Sequence, residues 1–132
     1  MERRPPMPIL ATTGGLSSLP EQFEWSIEVM NQHGRLEIVR VKITGRVQGV
    51  GYRNWLTGEA LRHRIRGWVR NRSHGEVEAL LAGSPEAVAA LSQACWQGPP
   101  AARVEAVIAA HGNVDDEAEI AQIKDFRQIA TL

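Results

Sequence analysis

The chain has 132 residues, 43% hydrophobic and 23% charged, with 15 basic and 15 acidic side chains and a net charge of zero. That length suits one domain with a core of its own rather than two, and no apolar run approaches the ~18 residues of a membrane span. A single cysteine, Cys95, excludes an internal disulfide, and neither it nor the histidines at 33, 63, 74 and 111 show metal-ligand spacing, so a metal-free cytoplasmic protein is expected.

Residues 1–34 read as an N-terminal extension of a domain over 35–132. Residues 1–20 are rich in Pro, Gly, Ser and Thr without periodicity and are expected to be disordered. Prolines break the short apolar part of MERRPPMPIL, which argues against a signal peptide. Residues 21–30 predict at most a short helix with Phe23, Ile27 and Met30 on one side. From Glu37 the alternation is regular: Val39, Val41, Ile43 and Val47 on one face, Arg40, Lys42 and Thr44 on the other, as in a half-buried strand. The glycine-broken run GRVQGVGYR, Gly45 to Arg53, ends it.

A helix is predicted over Asn54 to Arg64, with Trp55, Leu56, Ala60 and Leu61 as its buried positions. A second strand follows over Arg66 to Asn71, then a turn at Gly75, then a third strand over Glu76 to Ala82 with Val77, Ala79 and Leu81 inward. The second helix has the clearest signals. Ser84 suits the N-cap, Pro85 the first helical position, and Val88, Leu91 and Cys95 share a face. Gly98 and then Pro99-Pro100 stop it, and Cys95 reads as a small core residue rather than a nucleophile. A fourth strand over Val104 to Ala109 leads to a polar stretch, His111 to Glu119, and a short final strand over Phe126 to Ile129. The order predicts an α+β fold, a ferredoxin-like βαββαβ sandwich. In it an antiparallel sheet carries two helices on one face and a short C-terminal edge strand.

Charge is unevenly placed along this order. Residues 35–72 hold ten Lys and Arg against Glu37 and Glu59, a net of +8, whereas residues 73–132 hold three against nine acids, a net of −6. The basic half suits an anionic ligand, either a phosphate ester or a nucleic-acid backbone. Within it, a glycine-rich turn entering a helix aims unpaired N–H groups and the positive end of the helix dipole at one spot. Arg53 adds a planar, permanently charged fork that matches phosphate or carboxylate.

GRVQGVGYR is followed at the right distance by GWVRN, Gly67 to Asn71. Together they resemble the acylphosphatase signature, G-[RK]-V-Q-G-V-x-[FY]-R joined to a downstream G-[WL]-V-x-N, and the resemblance covers residues 35–129. It implies a free-standing enzyme that hydrolyses the carboxyl–phosphate anhydride of acyl phosphates by direct attack of a positioned water, without metal or other cofactor. Backbone N–H groups of Val47, Gln48, Gly49, Val50, Gly51 and Tyr52 would cradle the phosphoryl oxygens. Arg53 would hold two of them, and Asn71 would orient the water through its side-chain amide. Glycines 49 and 51 would let the backbone come close to the ligand.

The implied partner is a small-molecule acyl phosphate, with inorganic phosphate as product inhibitor. A monomer is expected, with neither membrane nor nucleic-acid binding. Each residue has a plainer reading: Asn71 an ordinary turn residue, Tyr52 and Trp68 packing residues, His74 a surface histidine, Arg46 a solvated charge. The alternative to the enzyme is a non-catalytic ferredoxin-like module for anions or RNA, for which Trp68 is the one strand aromatic able to stack a base. Two departures from the family pattern stand out. One is the length of the N-terminal extension. The other is the C-terminus, where the pattern Phe-x-Ile is here Phe126-Arg127-Gln128 with Ile129 out of phase, so an irregular or displaced edge strand is expected.

Overall fold

Alternating apolar residues make β1 (Glu37–Arg46) an interior strand of a five-stranded sheet, with Val39, Val41 and Ile43 buried on one face. The computed structural model describes residues 35–132; the disorder and short helix expected before residue 35 lie outside the described residues. After β1 come α1 (Tyr52–Arg62), β2 (Arg66–Asn71), β3 (Val77–Gly83), α2 (Pro85–Ala94), β4 (Arg103–His111), α3 (Val114–Ile120) and β5 (Phe126–Gln128). The strand order is β4-β1-β3-β2-β5. The first four strands are antiparallel neighbours, as the ferredoxin-like reading requires, and β5 adds to the β2 edge in parallel, so the sheet is mixed.

Helix α1 begins two residues earlier than its sequence pattern suggests. Tyr52 is buried in its first turn and sets the inward face as Tyr52, Leu56 and Ala60, one residue every four. Trp55 packs at the margin of that core, edge-on to Tyr52, and Leu61, expected inside, is 62% exposed. The helix ends in a Schellman motif, with Ile65 N–H donating to Ala60 O at 2.8 Å and Arg64 N–H to Leu61 O at 3.2 Å. Helix α2 follows its signals closely: Ser84 Oγ accepts from Ala87 N–H at 3.2 Å, Pro85 opens the helix, and Val88, Leu91 and Cys95 are buried. Burial pushes the Cys95 thiol up to about 11, which leaves it an unreactive core group.

A third helix corrects the reading of His111 to Glu119 as a plain polar connection. Asn113 caps α3 reciprocally: its Oδ1 accepts from Asp116 N–H at 2.8 Å, and Asp116 Oδ2 accepts from Asn113 N–H at 3.1 Å. Ile120 and Ile123 then pack on the sheet face opposite α1 and α2, against Trp68, Leu80 and Ala82. Strand β3 is consequently buried on both faces, not on one. The irregularity expected of the last strand is not seen: β5 pairs with β2 in unbroken parallel register, Gly67 opposite Phe126, Trp68 opposite Arg127 and Val69 opposite Gln128. Phe126 enters the core beneath α1 and α2, whereas Ile129, three residues on, joins the cluster on the other face. Beyond β5 the chain still follows β2, with Ile129 N–H donating to Val69 O at 2.9 Å and Leu132 N–H to Asn71 O at 3.3 Å.

Candidate active site

At the end of β1 the chain leaves the sheet through Val47 and turns into α1. The turn uses left-handed backbone at Gly49 (φ 74°) and at Gly51 (φ 85°), the latter being the N-cap of α1. A Cβ built on either meets no atom within 4 Å, so the positive φ, rather than crowding by the protein, is what demands glycine. Gly51 offers no side-chain cap, and the first turn of α1 contains no acid. The N–H groups of Gln48 through Asn54 donate no backbone hydrogen bond among the described residues. Unpaired donors therefore converge on one place with the positive end of the helix dipole.

An open cleft of about 180 Å³ lies there. Val47, Gly49, Gly51, Tyr52 and Arg53 line it from the loop and α1, Asn71 from the end of β2. The structure thus brings Arg53 and Asn71, the last residues of the two sequence motifs, to one cleft. Among the described residues Arg53 has no carboxylate partner, unlike Arg40, Arg62, Arg70 and Arg72, so its charge is unspent. The side-chain carbonyl of Asn71 is buried with no hydrogen-bond partner among the described residues. A buried acceptor left unpaired costs roughly 1–3 kcal/mol and suits a donor arriving with a ligand. An ordinary turn residue would have no reason to keep one.

Gln48 and Val50 do not line the cleft with their side chains. Val50 packs on the core. Gln48 reaches back to the β2–β3 turn, donating Nε2–H to Arg72 O at 2.8 Å and to Glu76 O at 2.9 Å. It ties the loop to the strand end that carries Asn71. Removing that tie in Gln48→Leu should cost about 1–2 kcal/mol in urea denaturation. Gln48→Glu should cost at least as much, because a carboxylate would face two carbonyl oxygens with no proton to donate. Equal stability of all three proteins would show that the tie is incidental.

Tyr52 contributes backbone to the turn, while its phenol donates to Cys95 O at 2.6 Å and is raised well above the ordinary tyrosine value, first by burial and then by Cys95. It is a core residue and not an acid or base. His74 is exposed, with Nε2 at 3.1 Å from Glu76, and neither it nor Arg46 lines the cleft. Two cleft residues are absent from the sequence-based set: Asn54, one residue beyond Arg53, and Gln128 on β5. Asn54 escaped because the helix pattern begins late, and Gln128 because its place depends on a long-range parallel pairing.

Much of the basic surplus is consumed elsewhere. Arg40, Arg70 and Arg72 surround Glu78 on the other face of the sheet, Arg62 pairs with Glu59, and Arg66 donates to Ile123 O. Trp68 is 2% exposed, beneath Ile120 and Ile123 and flanked by the guanidinium groups of Arg40 and Arg70. It offers no face for a base, and the RNA-binding alternative finds no support. Among the described residues no three His, Cys, Asp or Glu side chains converge on a metal position, and no helix is long and apolar enough to cross a membrane.

Comparison with known proteins agrees with the geometry. A family model described as Acylphosphatase matches residues 39–127. The chain is similar to an acylphosphatase of Rhizobium etli, 44% identical over 102 residues that cover 74% of this chain and 97% of the relative. It is also similar to an acylphosphatase of Rhodopseudomonas palustris, 58% identical over 74 residues that cover 55% of this chain and 75% of the relative. A solved acylphosphatase structure from Coxiella burnetii superposes with a TM-score of 0.64 at 32% identity, covering 74% of this chain and 97% of that one.

Proposed function

Because the chain belongs to the acylphosphatase family, we propose that the cleft between the β1–α1 loop and the end of β2 is where it works, with Arg53 and Asn71 as its catalytic residues. The protein hydrolyses acyl phosphates to a carboxylate and inorganic phosphate. An acyl phosphate is a mixed anhydride whose leaving group is already stable as an anion near neutral pH. Its cleavage needs the phosphoryl group held, its charge matched and a water placed in line. The water oxygen bonds to phosphorus as the bond from phosphorus to the carboxylate oxygen breaks, and the water's surplus proton ends in solvent.

Each part of that requirement has a residue to meet it. The N–H groups of Val47 to Tyr52 receive the phosphoryl oxygens, and Arg53 pairs with two of them through its fork. Asn71 accepts a hydrogen bond from the water at its buried Oδ1, which aligns the oxygen with phosphorus. The unpaired carbonyl of Asn71 beside an arginine that has no acid partner among the described residues is the observation that carries this reading. Residues 35–132 are taken as the catalytic domain and 1–34 as its extension, a division supported by the family match at 39–127. We place the protein in the cytoplasm, on the grounds that its one cysteine is a buried thiol needing no oxidising compartment, and take it to act as a monomer because this chain lines the cleft by itself.

Turnover of benzoyl phosphate tests the activity directly. Inorganic phosphate retains the group that the loop and Arg53 bind, so it should inhibit competitively and raise the melting temperature. Non-competitive inhibition, or an anion found only around the exposed Arg62 and Arg64 at the C-terminal end of α1, would move the site away from this loop.

A further inference from the structure

Two side chains lining the cleft take no part in holding phosphate or water. Gln128, on β5, donates Nε2–H to Asn54 Oδ1 at 2.7 Å and so joins the edge of the sheet to the first turn of α1. That bond fixes both amides end for end. Gln128 keeps Oε1 as an acceptor and Asn54 keeps Nδ2 as a donor, neither with another partner among the described residues. An acceptor and a donor therefore stand together on one wall. Gln128 stands where the pattern Phe-x-Ile has its isoleucine, so the amide is a departure from that pattern.

The remaining walls offer little apolar surface. Val47 and Tyr52 are each 1% exposed, and the other lining groups are glycine backbone, Arg53 and Asn71. The loop and Arg53 claim the phosphoryl end of the substrate, which leaves the acyl end to the amide pair. An apolar acyl group there would bury little hydrocarbon, whereas a group with a hydroxyl or amide beside the scissile carbonyl could use both free amide ends. We propose, resting on the catalytic reading above, that Gln128 and Asn54 select small acyl phosphates carrying a hydrogen-bonding group next to the scissile carbonyl over their apolar counterparts.

Lactoyl phosphate and propionyl phosphate differ only by one hydroxyl at that position and make a matched pair. Gln128 and Asn54 are both exposed, so a single neutral hydrogen bond sets the scale. The parent protein should prefer lactoyl phosphate by roughly three- to tenfold in kcat/KM. Gln128→Leu and Asn54→Ala should each bring that ratio close to one, while the inhibition constant for phosphate, read in the same proteins, stays within about twofold. A parent ratio of one or less, or a ratio preserved in either variant, would overturn the selection and leave the catalytic reading standing. Hydrolysis of neither substrate by the parent would overturn the catalytic reading, and this inference with it.

Discussion

Arg53→Ala is expected to lose on the order of 10²-fold or more in kcat/KM, the scale seen when one preorganised group is removed from a site of this kind. The guanidinium holds the phosphoryl group in both ground and transition states, so phosphate inhibition should weaken alongside kcat. Arg53→Lys should recover little, because an ammonium cannot supply the planar fork. Unfolding can be excluded by a simple comparison. Arg53 sits in the first turn of α1, where the dipole is positive and no acid offsets it. That placement costs about 0.3–1 kcal/mol in the free protein. Arg53→Gln should therefore be as stable as the parent or slightly more so, while its activity collapses. Asn71→Ala should lose a similar factor in kcat but leave phosphate inhibition nearly intact, since Asn71 meets the water and not the phosphate. Parent-like turnover in Asn71→Ala would sink the proposed mechanism.

How far the sequence foretells this site depends on the range of the interactions involved. The loop and the end of β2 carry local signals, glycines at fixed spacing before an arginine and a strand ending in asparagine, and both line the cleft. The Asn113-x-x-Asp116 pattern ahead of α3 is also local and readable as a capping box. Its helix goes unseen because only Val114, Ala118 and Ile120 interrupt the acids, too few to form an apolar stripe. Leu61 illustrates a phase error. Leu56 and Ala60 lie inside as the pattern suggests, but Tyr52, buried in the first turn, sets the inner face on the Tyr52-Leu56-Ala60 line and leaves Leu61 outside it. Gln128 and Glu78 are of another kind. One reaches the cleft through the parallel pairing of β5 with β2, the other is buried by α3 and neutralised from two further strands. No periodicity within a single strand records either.

Glu78 carries the second large effect, and it concerns stability. It is the second residue of β3 and 2% exposed, where a polar residue on an alternating strand would ordinarily face water. Arg40 donates to Oε2 at 2.6 Å, while Arg70 Nε at 3.0 Å and Arg72 Nη1 at 2.9 Å both donate to Oε1. Arg40 also grips Asp116, the N3 partner of Asn113 in the capping box of α3, so one arginine links the sheet to the helix that covers it. Burial by itself would raise the Glu78 carboxyl, but hydrogen bonds from Arg72, Arg40 and Arg70 outweigh it and bring the group down from 4.5 to about 2. A carboxylate depressed on folding stabilises the protein above its unfolded value and loses that contribution as pH falls toward the folded one.

The interval from about 4.5 to about 2 corresponds to roughly 3 kcal/mol at neutral pH. Glu78→Gln keeps the volume, removes the charge and leaves three guanidinium groups together. Their side chains are 17–29% exposed and partly solvated, which softens the penalty. A loss of roughly 2–3 kcal/mol at pH 7 is expected, below the usual cost of breaking a fully buried pair. Denaturant titrations of the parent and Glu78→Gln across pH 7 to 3 should show the gap narrowing to roughly half by pH 3, because the parent is by then losing what the variant never had. A gap that stays constant over that range would mean that Glu78 stabilises the sheet by packing alone, and that the arginines around it are held by something other than its charge.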